Sequence, residues 1–133
     1  MTLEELKRQF VVNEDALKAR LEPLVEKALR HCRIDKSGQV QILNTKLSTK
    51  DQLKLTLAAR AIGSQLDPQI SAGVSIADIA KFTGLPQNQI RARATDAIKD
   101  KFAESPEAGV FRAIPNKIEP FLDGIAPVDA AKN

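Results

Sequence analysis

The sequence Val74-Ser-Ile-Ala-Asp-Ile-Ala-Lys-Phe-Thr-Gly-Leu-Pro-Gln-Asn-Gln-Ile-Arg-Ala-Arg-Ala94 predicts a short helix, a tight turn and a second helix. Ala80 is small enough for two helices to cross closely at its position. Gly84 suits a left-handed turn conformation that other residues adopt at a cost. Leu85 and Ile90 then return apolar side chains to the core. This spacing is typical of a helix-turn-helix, the unit that places its second helix in the major groove of DNA.

Ser75 and Pro86 indicate where the two helices begin. Ser75 is a predicted N-cap for a helix over 76–82, and Pro86 suits the first turn of the next helix. The second helix is predicted over 86–103, because Glu104-Ser-Pro106 is expected to stop it. One face of this helix is apolar and is formed by Ile90, Ala94, Ala97 and Ile98. The opposite face is mainly polar and is formed by Asn88, Arg91, Ala92, Thr95 and Lys99.

The polar face of the second helix has the chemistry of a groove reader. Amide side chains pair with adenine, arginine pairs with guanine, and threonine contacts the thymine methyl group. The predicted base-reading residues are Gln87, Asn88, Gln89, Arg91 and Thr95. Predicted phosphate contacts on these two helices are Lys81, Arg93 and Lys99. The alternative is a helical hairpin with a solvated second face, in which Asp96 and Asp100 only form helix-stabilising pairs with Lys99 and Lys101.

Composition sets broad limits on what the chain does. The 133 residues are 43% hydrophobic with a net charge of +3, which fits one compact domain or a small domain with an extension. This mild charge is compatible with a nucleic-acid partner without requiring one. A single cysteine, Cys32, excludes an intramolecular disulfide and favours a reducing cytoplasm. No secretory signal or membrane-spanning segment is recognisable, so a cytoplasmic protein is expected.

The sequence before and after this motif predicts further elements. A helical stripe recurs through Pro23 and consists of Leu17, Leu21, Leu24, Val25, Ala28, Leu29 and Cys32. Alternation of polar and apolar residues over Gln39–Leu43 predicts a half-buried strand. Ser48 is expected to begin a helix that ends at about residue 65 or 66, and this helix is predicted to be buried on more than one side. The predicted organisation is an N-terminal helical extension (1–47) with the strand 39–43, a helix-turn-helix domain (48–124) and a flexible tail (125–133).

The motif resembles that of the winged helix-turn-helix transcription regulators of bacteria and archaea. The matching residues are Ile79-Ala80, Thr83-Gly84-Leu85 and Ile90-Arg91. The resemblance implies a mainly α fold with a small β component, in which the helix over 53–66 completes a three-helix core. It also implies a β-hairpin wing after the recognition helix, with Arg112 as the wing residue that meets phosphate.

The wing itself is weakly encoded in the sequence. Gly109–Ile114 reads as a short strand, whereas 103–108 is poor strand material. Either the wing is short or its strand near Arg112 pairs elsewhere, in which case the strand over 39–43 is the natural candidate partner. This pairing would tie the N-terminal extension to the winged domain.

Catalysis and metal binding have little support in the sequence. His31 and Cys32 are adjacent, but no further histidine or cysteine exists to complete a zinc site. No phosphate-binding glycine loop is present, so neither an enzyme nor a cofactor is expected. Cys32 is predicted to be a core residue.

The predicted function is sequence-dependent binding of duplex DNA by a transcription regulator or chromatin-type factor. A homodimer is expected, because one recognition helix covers few base pairs. The Leu17–Leu29 stripe would form the dimer surface or, equally, cover the core of the same chain. The alternative function is a winged-helix protein-interaction module, a scaffold in a larger assembly that docks its partner through the N-terminal helices.

Overall fold

Helices make up most of the chain, and two small antiparallel sheets accompany them. The computed structural model describes residues 2–5, 14–43 and 46–125, with the side chains of residues 14–20 left out. The longer helices of this part are α1 (Glu14–Leu29), α2 (Thr49–Leu66), α3 (Ile76–Thr83), α4 (Gln87–Lys99) and α5 (Ile118–Gly124). The strands are β1 (Cys32–Ile34), β2 (Val40–Ile42), β3 (Val74–Ser75), β4 (Ala103–Glu107) and β5 (Val110–Ala113). The predicted mainly α class with a small β component is confirmed.

α2 is the central helix of the core, as its sequence predicted. The Ser48 hydroxyl accepts a hydrogen bond from the Asp51 N–H at 3.1 Å and caps the first turn. Leu53, Leu55 and Leu57 are all buried although they cannot share one helix face, so α2 is covered on several sides. The buried cluster around it includes Ala28, Cys32 and Val40 from the predicted extension as well as residues up to Leu122.

The turn between α3 and α4 is held by three consecutive residues. Gly84 has a φ of +74° and its N–H donates to the Ala80 carbonyl at 2.8 Å. The Thr83 hydroxyl donates to the Ile79 carbonyl at 2.7 Å and accepts from the Leu85 N–H at 3.2 Å. Leu85 then packs against the core. The predicted turn is confirmed, and Thr83 has a bonding role that the spacing of apolar residues did not reveal.

The backbone conformation, and not space, makes glycine favourable at position 84. A Cβ atom there would meet nothing within 4 Å. Gly84→Ala is therefore expected to lower the free energy of unfolding by about 1 kcal/mol, the cost of a left-handed alanine. Gly84→Asn should cost less, because asparagine tolerates this conformation. Urea denaturation measures both, with Gly124→Ala as a control that also enters open space but has no positive φ. Equal losses at the two glycines would contradict this explanation.

α4 ends four residues earlier than the predicted helix over 86–103. Its last helical residue is Lys99, and Lys101 has a left-handed φ of +63°. The Lys101 N–H bonds the Ile98 carbonyl at 3.0 Å, and the Phe102 N–H bonds the Ala97 carbonyl at 3.0 Å. This closure normally uses glycine at the left-handed position, so lysine gave no sequence signal for the helix end.

The predicted absence of a strand at 103–108 is wrong. β4 pairs with β5, and β5 pairs on its other side with β3, in the order β3-β5-β4. Pro106 is tolerated because β4 is an edge strand with an irregular register between Glu104 and Glu107. The hairpin turn is bonded to neighbouring elements, because Ser75 of β3 pairs with Val110 and the Ile76 N–H at the start of α3 bonds the Gly109 carbonyl at 3.1 Å.

The strand predicted at 39–43 exists as β2, but its predicted partner is wrong. β2 pairs with β1, with Arg33 opposite Gln41, and not with β5. α1 ends at Leu29, so Cys32 lies on a strand and not on the helix that its spacing suggested. Cys32 is nevertheless a buried core residue, as predicted.

Most of the described part of the α1 stripe packs within the chain, whereas the predicted stripe residue Leu29 is 47% exposed. Ala28 is buried, and Leu21, Leu24 and Val25 contact the core. Lys27 pairs with Asp123 of α5 at 3.0 Å and fastens the two helices together. The stripe thus covers its own core, which was one of its two predicted roles. Of the predicted flexible tail, Ile125 packs against the core, and residues 126–133 lie outside the described part of the chain.

His31 connects stability to pH. It is only 2% exposed, and its Nδ1 has no hydrogen-bond partner among the described residues. Burial lowers the pKa of His31, although hydrogen bonding to the Leu122 backbone opposes this change. The unfolded chain therefore takes up a proton that the folded chain resists. We expect stability to be constant above about pH 7 and to fall below about pH 6.5, by at most about 1.4 kcal/mol per pH unit.

Urea denaturation between about pH 7.5 and about pH 5 tests this expectation, because the carboxylates titrate mainly below this window. His31→Phe removes the titrating group while keeping a buried ring, and it should flatten the profile. A flat wild-type profile over the same range would contradict a buried neutral imidazole.

Candidate nucleic-acid interface

α4 presents one buried face and one exposed face. Ile90, Ala94 and Ala97 are at most 1% exposed and pack into the core. The predicted position of Ile98 in this face is wrong, because it is 39% exposed. The outer face of α4, as we use the term, consists of the exposed residues Asn88, Arg91, Ala92, Thr95, Ile98 and Lys99.

The core contacts of α4 explain why this face is outward. α4 packs on α2, and both helices contribute small buried side chains, Ala94 and Ala97 from α4 and Ala58 and Ala61 from α2. Such residues let two helices approach closely and fix which side is turned to solvent. The remaining predicted base readers, Gln87 and Gln89, are exposed at the beginning of the helix.

Asp96 of α4 and Asp100, which directly follows the last residue of α4, are both neutralised away from the outer face of the helix. Asp96 pairs with Arg93 at 3.3 Å. Asp100 pairs with Lys50 at 2.5 Å and with Lys54 at 3.3 Å, both on α2. Within the described residues, Asp96 and Asp100 thus do not pair with Lys99 and Lys101, which is the pairing that the helical-hairpin alternative expected. Hydrogen bonds from the two lysines lower the pKa of Asp100, which keeps that carboxylate ionised and bound to α2.

This arrangement leaves two cations of the outer face unpaired. Within the described residues, Arg91 and Lys99 form no ion pair with any carboxylate. Lys81 on α3 is exposed and likewise unpaired in this part of the chain. The spacing of charged residues in the sequence could not show that these cations are unpaired, because the partners of Asp100 come from a different helix.

The hydrogen bonds of the polar side chains limit what they can offer a ligand. The Asn88 Oδ1 accepts from the Gln89 N–H at 2.9 Å, which leaves its NH₂ group and a second lone pair. The Thr95 hydroxyl donates to the Arg91 carbonyl at 3.0 Å, so its oxygen remains an acceptor. Both residues therefore keep groups that can contact a base edge.

The beginning of α4 favours an anion. Pro86 supplies no side-chain acceptor to the first turn, and that turn contains no acidic residue. The first N–H groups of a helix and its dipole attract phosphate. This electrostatic preference adds to the unpaired charge of Arg91 one turn further along.

The hairpin β4–β5 has a different character. Arg112, the predicted wing contact, donates to Glu104 at 2.6 Å. Glu107 is exposed near the turn. The hairpin is thus net acidic, and its single arginine is already paired. The structure does not place a free cation there for a phosphate.

Other chemistry finds little support in the described residues. Burial raises the pKa of the Cys32 thiol to about 11, which keeps it protonated. No group of three or more metal-ligating side chains occurs within 2–5, 14–43 and 46–125. Over the same residues, no helix has both the length and the apolar character needed to cross a membrane.

The chain was compared with protein-family models, curated proteins and solved structures, and none of them matches it.

Proposed function

We infer that the chain is a winged-helix protein that binds duplex DNA with α4 in the major groove, acting as a non-enzymatic cytoplasmic regulator of transcription or a chromatin-type factor. The order of elements supports this assignment. α2 packs against α3 and α4, and the hairpin β4–β5 follows α4 directly. This is the arrangement that the resemblance of Val74–Ala94 implies.

The observation that carries the proposal is the separation of charge on α4. Asp96 and Asp100 are held by Arg93, Lys50 and Lys54, while Arg91 and Lys99 stay unpaired on the outer face within the described residues. The pairs of Asp100 also hold the end of α4 on α2, and the two unpaired cations remain on the outer face. A phosphate backbone attracts unpaired cations and repels unpaired carboxylates.

The residues of the interface have distinct tasks. Asn88, Arg91 and Thr95 read base edges, with Gln87 and Gln89 beside the entry of the helix. Lys81 and Lys99 contact phosphates and supply salt-dependent affinity. Arg93 and Arg112 contribute less, because each already has a carboxylate partner.

Lys99→Gln tests the phosphate contact. We expect duplex affinity to fall by a similar factor on every DNA sequence, and the slope of log affinity against log salt to become shallower by about 1. Fluorescence anisotropy at several salt concentrations measures both quantities. Lys36→Gln, which changes an exposed lysine in the β1–β2 turn, is the matched control. If both variants change the slope equally, Lys99 has no specific role.

A homodimer on paired half-sites is part of the proposal. Ala28, Leu21, Leu24 and Val25 of α1 pack against the core of their own chain, whereas Leu29 is 47% exposed, so the dimer contact includes residues other than these four. Light scattering with size-exclusion chromatography gives the oligomeric state, and selection from random duplexes gives the spacing of the bound half-sites. Tight, specific binding by a monomer to one half-site would contradict the dimer without contradicting DNA binding.

The hairpin favours one alternative function, a protein-interaction module. Its exposed Glu104 and Glu107 repel phosphates, and its turn is bonded to the start of α3. A scaffold would use such a surface for a protein partner, with α1 as a second docking element. Absence of duplex binding even at low salt would favour this alternative over the DNA-binding proposal.

A further inference from the structure

A cleft of about 310 Å³ lies between β2 and the last turn of α3. Its walls are the segments 39–42 and 81–83, with Gln52 between them. No residue of β1 lines it, because β1 pairs with the opposite edge of β2. Clefts of this size are at the lower end of the range that holds small molecules.

The strand register shows which backbone groups face this cleft. The Asp35 N–H bonds the Gln39 carbonyl at 3.0 Å, and the Leu43 N–H bonds the His31 carbonyl at 2.9 Å. Because bonded pairs alternate in an antiparallel ladder, Val40 and Ile42 direct their N–H and carbonyl groups away from β1. Neither residue has another backbone partner among the described residues, although Val40 is only 4% exposed. The N–H group of a buried residue such as Val40 normally has a hydrogen-bond partner.

The other groups in the cleft point to the charge of that partner. Lys81, which forms no ion pair with a described carboxylate, lines it, and none of its described lining residues is acidic. The C-terminal end of α3 at residues 81–83 opposes an anion through its helix dipole, and the positive charge of Lys81 compensates for this. Phe82 and Ile42 add apolar surface beside these donors.

We propose that this cleft binds a small organic carboxylate with an apolar body, and that the ligand competes with DNA. The carboxylate accepts from the N–H groups of the β2 edge and pairs with Lys81, while the apolar body lies against Phe82. Lys81 is also a phosphate contact in the proposed function, so occupation of the cleft removes one cation from the DNA interface. The competition rests on the proposed function, whereas ligand binding does not.

Phenylacetate and its neutral analogue phenylacetamide are the probes, added to the full chain without DNA. For about ten heavy atoms, binding in the millimolar range is expected. Two-dimensional NMR should show saturable shifts of the Val40 and Ile42 amide signals, with the neutral amide binding about fivefold more weakly. No saturable shift up to about 20 mM, or equal binding of both probes, would overturn the carboxylate site.

Two lysine variants separate the cleft from the DNA interface. Lys81→Gln should weaken phenylacetate binding by about fivefold. Lys99→Gln makes the same charge change outside the cleft and should leave phenylacetate binding unchanged. Phenylacetate should weaken duplex binding of the wild type but not of Lys81→Gln. Ligand binding without any duplex binding would reject the proposed function and retain the site, whereas simultaneous binding of both would reject the competition.

Discussion

Replacing Arg60 with methionine is expected to lower the free energy of unfolding by about 3 kcal/mol. The guanidinium is buried and donates to the Ser71 carbonyl at 2.8 Å, the Gly38 carbonyl at 3.1 Å and the Gly73 carbonyl at 3.4 Å. These acceptors belong to two separate loops, one in the β1–β2 hairpin and one before β3. Methionine fills similar space but leaves the carbonyls without donors.

Arg60→Lys tests whether geometry or charge matters. A lysine keeps the cation but cannot reproduce the planar fork, so we expect a loss smaller than that of methionine but still measurable. The space around the Arg60 guanidinium is also limited, because a Cβ atom on Gly38 would lie 3.3 Å from the Arg60 Cζ. Urea denaturation followed by circular dichroism measures each variant. Arg33→Met is the control, because Arg33 is an exposed arginine that also donates to carbonyls. Similar losses at the two arginines would refute a role for buried bridging.

Asn88→Ala and Arg91→Ala are each expected to weaken binding to a selected duplex by about tenfold to a hundredfold. Each change removes a side chain that can form paired hydrogen bonds with a base. Asn88→Ala should leave the salt slope unchanged, because asparagine carries no charge. Competition binding against selected and random duplexes measures the affinity and the specificity.

Matched changes away from α4 guard against effects on folding or overall charge. Asn116→Ala and Arg30→Ala alter exposed residues of the same types in other segments. We expect these two variants to bind the selected duplex like the wild type. Unchanged binding by Asn88→Ala and Arg91→Ala together would remove α4 as the recognition helix.

The sequence predicted elements wherever a side chain or a glycine acts on the adjacent backbone. Ser48 and Ser75 both accept the hydrogen bonds that their N-cap positions implied, and Gly84 has the expected positive φ. The buried face of α4 also followed from spacing, apart from Ile98 near its end. These signals are local, so one sequence is enough to read them.

The predictions from sequence were wrong where residues far apart in the sequence determine the local structure. β4 has the sequence Ala-Glu-Ser-Pro-Glu, and it forms a strand because β5 pairs with it and an edge position tolerates proline. The strand β1 was not predicted, because the helical spacing of apolar residues continued as far as Cys32. In the candidate site, the outward residues of α4 were predictable, but the pairing of Asp100 with Lys50 and Lys54 depends on the packing of α4 against α2.

The lysine that closes α4 has a consequence for engineering the chain. Lys101 occupies a left-handed conformation that glycine would adopt more easily. Replacing it with glycine is therefore expected to raise the thermostability of the protein. A substitution made to stabilise the protein at this position would also remove a cation next to α4, the proposed recognition helix. The same substitution would thus relax the backbone and lower the positive charge beside the proposed recognition helix.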